Sequence, residues 1–252
     1  LGRCYQEQGN FEKAVETLEK ALALLNKRAP KSAPAVYAAI AREAAVQAVN
    51  TGLKKENIKQ YENRERTDAE IRSDVLSILS KLYYFGLTEK IAWSSIANYN
   101  NTLHIKDEKE RFCIAAGDYA TTLVSAGLTP LGKHLFEQTY IISQSGVSPL
   151  ASSIFKARYA YYFLFYNNPA KSIELLKDAS DYFRKTGEQW ELMTAVGALA
   201  QNYFLVGDFE KSIKSYKETE ETAQKVHSEM HIGWAYNKIP FMKYLTGEFT
   251  AV

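Results

Sequence analysis

The chain has 252 residues, 46% apolar and 24% charged, and its 31 basic and 29 acidic side chains leave a net charge of +2. That balance excludes the basic footprint of a nucleic-acid-binding surface, and no run approaches the roughly 18 apolar residues of a membrane span. Two thiols in a chain of this size, Cys4 and Cys113, point to a reducing compartment and to small core residues.

In chain order, seven turn signals separate helix-like stretches: Gly9-Asn10-Phe11, Gly52-Leu53, Gly86-Leu87-Thr88, Gly127-Leu128-Thr129, Asn167-Asn168-Pro169, Gly207-Asp208-Phe209 and Gly247-Glu248-Phe249. Their spacings are 43, 34, 41, 40, 40 and 40 residues. A fixed period in this range marks a solenoid, whose units bury their apolar faces by stacking on their neighbours. The chain opens without Met, already inside a helix pattern, and stops a few residues after the last turn. Both ends fall inside a repeat, and we expect a fragment of a longer polypeptide. The densest basic stretch, residues 54–66, is interleaved with Glu56, Glu62 and Glu65 and reads as a solvated helix face.

The cleanest unit covers residues 192–226. Leu199, Ala200 and Tyr203 share one face of a first helix. Gly207 ends that helix in a left-handed conformation. Phe209 opens a second helix with Ile213, Tyr216 and Ala223 as its apolar stripe, and Ser212 is small where the pair must approach. Gly187-Glu188 and His227-Ser228 mark the passages to the helices before and after. Leu1-Gly2, Tyr5, Gly9, Phe11, Ala14, Leu18 and Ala21 have the same mutual spacing as Leu199-Ala200, Tyr203, Gly207, Phe209, Ser212, Tyr216 and Thr219. Leu123, Gly132, Phe136 and Thr139 repeat it around Gly127, as do Phe163, Ser172 and Leu176 around Asn167.

This pattern resembles the tetratricopeptide repeat (TPR). The resemblance implies an all-α, right-handed α-solenoid of about six stacked helix-turn-helix repeats. We expect a single repeat domain over residues 1–252, truncated at both ends. The units are about 40 residues long where the family uses about 34, two lack the aromatic after Gly, and residues 50–70 carry no clean anchor. In these departures the chain is similar to the TPR-like superhelices of large signalling proteins: maltose-activator-type transcription activators and multidomain nucleotide cyclases or kinases. HEAT repeats lack the Gly-aromatic junction, pentatricopeptide repeats normally need a basic groove, and an all-α catalytic toroid is open on helix content alone.

Chemical motifs are sparse. No phosphate-cradling loop, dinucleotide fingerprint, C-x-x-C or Asp-Asp pair occurs. His227 and His231 are four apart on a predicted helix, a spacing that zinc sites use, but Glu229 projects away from them and no third ligand is near. They read as surface or groove histidines, and His104 and His134 as structural. Asn100-Asn101-Thr102 fits a glycosylation sequon by accident. The segment is therefore expected to be non-catalytic, with no metal and no cofactor.

In stacked helix pairs the first helices line the concave surface. Counting from the turns gives Ser80, Tyr84, Thr121, Ser125, Tyr161, Phe165, Gln201, Leu205 and Phe241 as groove positions. Such a groove is neutral with an aromatic middle, and it lacks the Lys and Asn residues with which TPR co-chaperones grip a terminal carboxylate. The expected partner is a protein or peptide segment with apolar anchors; no direct nucleic-acid binding and no membrane span are expected. Alternatively, Tyr161 and Phe165 pack between repeats; Tyr159, Tyr162, Phe163 and Tyr166 are expected in the core. The leading reading is a cytoplasmic protein–protein interaction scaffold. A small-molecule sensor controlling a linked ATPase, cyclase, kinase or DNA-binding module is the alternative, and a third option is an enzyme with an unrecognised helical site.

Overall fold

The computed structural model describes residues 1–7, 10–52, 68–83, 88–105 and 108–248. Among them twelve α-helices and no strand element are found: α1 (Gly2–Glu7), α2 (Phe11–Leu24), α3 (Ala33–Gly52), α4 (Asp68–Tyr83), α5 (Thr88–Thr102), α6 (Lys109–Ser125), α7 (Thr129–Ser143), α8 (Pro149–Phe165), α9 (Pro169–Thr186), α10 (Gln189–Leu205), α11 (Phe209–Lys225) and α12 (Glu229–Leu245). They form two compact units, Leu1–Val147 with α1 to α7 and Ser148–Val252 with α8 to α12. Each is an all-α stack of helical repeats, the solenoid logic that the turn spacing predicts.

Main-chain chemistry closes every described repeat turn the same way. The N–H groups of Asn10, Leu128, Asn168, Asp208 and Glu248 reach back five residues, to the carbonyls of Tyr5, Leu123, Phe163, Tyr203 and Lys243, at 2.8–2.9 Å. The residue between must be left-handed. Gly127, Gly207 and Gly247 have φ of 79°, 79° and 76°, and Asn167 has 53°. Asn10, Asn168 and Asp208 then cap the following helix, accepting from the N–H of Lys13, Lys171 and Lys211 at 3.3, 3.3 and 3.1 Å. The opposite ends of the hairpins close alike at Gly187 (φ 77°) and His227 (φ 54°). Gly9, Tyr84, the turn at Gly86, Leu53 and Phe249 lie outside the described residues.

In the unit holding α8 to α12, each helix packs on the next, and α10 also touches α8 and α12. The paired helices meet at a small residue. Ser172 Oγ donates to the Ala160 carbonyl at 2.9 Å, and Ser212 Oγ to the Ala200 carbonyl at 2.7 Å. In the other unit Gly132 holds the equivalent place between α6 and α7. A Cβ there would stand 2.9 Å from the Ala120 carbonyl and 2.7 Å from Val124 Cγ2. Around these seams Leu176, Phe183, Met193 and Phe136 are fully buried, each contributing about 1.5–3 kcal/mol of apolar burial. One buried ion pair ties α8 to α10: Arg158 Nη1 and Nη2 lie 3.0 and 3.4 Å from the two carboxylate oxygens of Glu191.

The first unit breaks the pattern where the spacing does. The helices α1 and α2 pair, as do α4 with α5 and α6 with α7, but α2 packs on α4 while α3 packs on α5. The signal at Gly52 is the last turn of α3, which lies in chain order between the α1–α2 and α4–α5 hairpins, with residues 53–67 after it outside the described residues. Its inward face starts apolar, with Val36, Ala39 and Ile40, and continues polar, with Glu43, Gln47 and Asn50.

Gly207 has open space where a Cβ would go, so Gly207→Ala isolates the cost of a left-handed residue. Urea melts should show a loss of about 1 kcal/mol. Gly233, in the interior of α12 with equally open space, should gain about 0.5–1 kcal/mol as Ala. Equal effects of the two would contradict the assigned turn geometry.

Candidate functional site

The exposed ends of the first helices in the second unit repeat one another. Phe165 and Tyr166 end α8, Leu205 and Val206 end α10, and Leu245 ends α12, all among the exposed large apolar side chains. Phe165, Leu205 and Leu245 are 40 residues apart in turn, as are Tyr166 and Val206. Each sits one or two residues before a left-handed turn, where the helix ends before a further turn of side chains covers it.

Between α10, α11 and α12 lies a hollow of about 100 Å³, floored by Phe204, Tyr216 and Met242 and rimmed by Gln201, Leu205 and Phe241. The Phe204 ring packs between two others, with centroids 5.7 Å from Phe209 and 6.1 Å from Phe241. Lys238 is the cation on its wall. Three of the sequence-derived groove positions, Gln201, Leu205 and Phe241, thus come together. Tyr161 is half-buried and Phe165 is exposed on α8. In the other unit Ser80 lies between helices, its hydroxyl bonded to the Leu76 carbonyl at 3.0 Å and to Ser94 Oγ at 2.8 Å. Thr121 turns its hydroxyl back to the Gly117 carbonyl at 2.8 Å, and Ser125 is exposed. Tyr84 lies outside the described residues.

Tyr159 is buried, and Tyr162 and Phe163 are half-buried against it, the Tyr162 ring stacked at 6.0 Å and the Phe163 ring tilted at 4.8 Å between centroids. Tyr166 is not a core residue, contrary to expectation, because it caps α8 beyond its last packed turn.

The family model described as Tetratricopeptide repeat matches residues 1–24. That segment is the α1–α2 hairpin, whose turn the later hairpins reproduce. The chain is a TPR-like helical repeat protein. No curated protein matches it.

All-helical TPR folds are typically non-catalytic, and the titratable groups of this TPR-like chain fit a structural role. Among the described residues, no three His, Cys, Asp or Glu side chains gather as a metal site, and no helix is long and apolar enough to cross a membrane. His227 and His231 do not share a helix face. His227 is an exposed, left-handed residue of the turn before α12. His231 is not a surface or groove histidine either: it is fully buried, edge-on to Trp190 and Trp234 at 5.3 and 4.7 Å. Ser228 Oγ lies 2.8 Å from its Nδ1 and Thr194 Oγ1 3.5 Å from its Nε2. The signal that would have found it is the pair of tryptophans at spacings compatible with one cage. Cys113 is buried, and burial pushes its thiol up to about 11. Cys4 is exposed, contrary to the expectation of a core thiol.

Burial pulls His231 down to about 4 from an ordinary 6.5. Below pH 6.5 the unfolded chain takes up a proton that the folded chain refuses, so stability is full above that pH and falls as pH drops towards 4. Between pH 6.5 and 5 the loss should be about 1.5 kcal/mol. Urea melts of the parent and of His231→Phe at the two pH values check this. A variant with the parent's slope would show that His231 does not carry it.

Proposed function

We propose that the chain is a non-catalytic protein–protein interaction scaffold, the TPR-like regulatory region of a larger cytoplasmic protein. TPR repeats support an interaction scaffold in general. The finer reading rests on one observation, the large apolar side chains exposed at repeat-equivalent places at the ends of α8, α10 and α12. Soluble folds seldom leave such rows uncovered without a partner.

The partner this surface suits is a protein segment with apolar anchors, one of which enters the hollow rimmed by Gln201, Leu205 and Phe241. Phe165 and Tyr161 on α8 extend the same chemistry. Binding would be driven by apolar burial on an edge already held rigid by its turns, which keeps the ordering cost low. No bond is made or broken, and nucleic acid is not the partner.

The test is selection of displayed peptides on the immobilised chain, followed by affinity measurement. Enriched peptides should carry two or more large apolar residues. The double substitution Leu205→Glu and Phe241→Glu should weaken them roughly tenfold or more, while leaving stability within about 0.5 kcal/mol because both positions are exposed. Peptides that bind the double variant as well as the parent would refute the assignment of this edge.

A further inference from the structure

The hollow between α10, α11 and α12 is small and unevenly equipped. At about 100 Å³ it falls below the roughly 300–1,000 Å³ of small-molecule sites, so it suits a single side chain presented by another polypeptide. Its floor is apolar, its amide is Gln201 from α10, its charged side chain is Lys238 from α12, and no carboxylate lines it. Gln201 and Lys238 are exposed, and among the described residues neither side chain has a hydrogen-bond or ion-pair partner.

The other cations facing this row of helices are balanced. On α8, Lys156 pairs with Asp178 and Arg158 with Glu191. Glu191 is the lone charge of α10, and it is spent on that pair. The acidic residue of α12 is Glu229, in the first turn. It stands nine residues before Lys238, roughly 13 Å away along the helix axis. Residues 249–252, outside the described residues, add no acidic side chain. The hollow therefore offers an apolar floor beside one uncompensated positive charge.

We propose that the partner segment seated here is acidic as well as apolar: a peptide whose large apolar residue enters the hollow and whose neighbouring Asp or Glu side chain pairs with Lys238. This deepens the interaction reading above and rests on it. An apolar anchor that covers the floor strips water from the ammonium, and the carboxylate offsets that cost. Gln201, with a free donor and a free acceptor, serves a main-chain amide of the same segment. A basic partner would meet Lys238 with no carboxylate at hand, so the charge selects among partners more than it adds affinity.

The probe is a peptide selected from a random displayed library on the immobilised chain, then synthesised with an amidated C-terminus so that no terminal carboxylate can answer. Its large apolar residue should have Asp or Glu next to it or next but one. Changing that acid to Lys should weaken binding to the parent chain roughly fivefold or more, and Lys238→Glu should weaken the original peptide as much. The two changes together should restore most of the affinity, the signature of a direct pair. Both losses should shrink with added salt. Because Lys238 is exposed and partnerless, the variant should keep the parent's stability. Enriched peptides without acids, indifference to Lys238→Glu, or a charge swap that restores nothing would each overturn the proposal. Replacing the peptide's apolar residue by Ser separates the two readings. A peptide that loses binding on that change but ignores Lys238→Glu leaves the scaffold reading standing and removes this one, whereas a library that yields no binder removes both.

Discussion

The structure depends on one steric constraint, the close approach of paired helices at a residue no larger than serine. Ser172 and Ser212 each send a hydroxyl to a carbonyl twelve residues earlier. Those carbonyls already belong to helix ladders and have a second lone pair to offer, so the hydroxyl is satisfied without opening the helix. Gly132 reaches the same separation with no side chain at all. A larger residue would push the hairpin apart, and the aromatic and leucine side chains beside the seam would lose their contacts together. A cavity term adds to every such loss, so this position governs more packing than its own size suggests.

Once the seam is set, the turn chemistry follows. A left-handed residue between two back-reaching N–H groups ends the first helix at a fixed place, and a side-chain cap starts the second. The apolar residues one and two before that turn are left with nothing further along the helix to cover them. Exposure of Phe165, Leu205 and Leu245 is thus a consequence of how the hairpin closes. The same repetition that builds the fold lays out the surface on which a partner would act.

Much of this was legible in the sequence, because local rules decide it. Glycine or asparagine at the turn, the small residue five positions on, and the caps at Asn10, Asn168 and Asp208 are all dictated by backbone geometry within a few residues. What the sequence concealed depends on tertiary neighbours. The inward face of α3 changes from apolar to polar half-way, so no single stripe announces which side packs, and its partner α5 lies beyond α4. His231 read as a surface residue because its cage is assembled from Trp190 on α10 and Trp234 on its own helix. Tyr166 was misplaced for a related reason: its cover depends on where α8 ends, not on its own chemistry.

The two units solve the burial of polar groups differently. In the second, Arg158 and Glu191 face each other in a bidentate pair and leave no net charge inside. Such a pair is roughly neutral for stability but disciplines the register of α8 against α10. In the first, α3, α4 and α5 bring the Glu43 carboxylate, Lys27, Arg42, Arg72 and two asparagines to one place among the described residues. Lys27, Asn100 and Arg42 hold the Glu43 carboxyl below its usual range against the burial that opposes its charge. A hydrogen-bonded cluster thus joins α3 to α5 along the half of α3 whose inward face is no longer apolar.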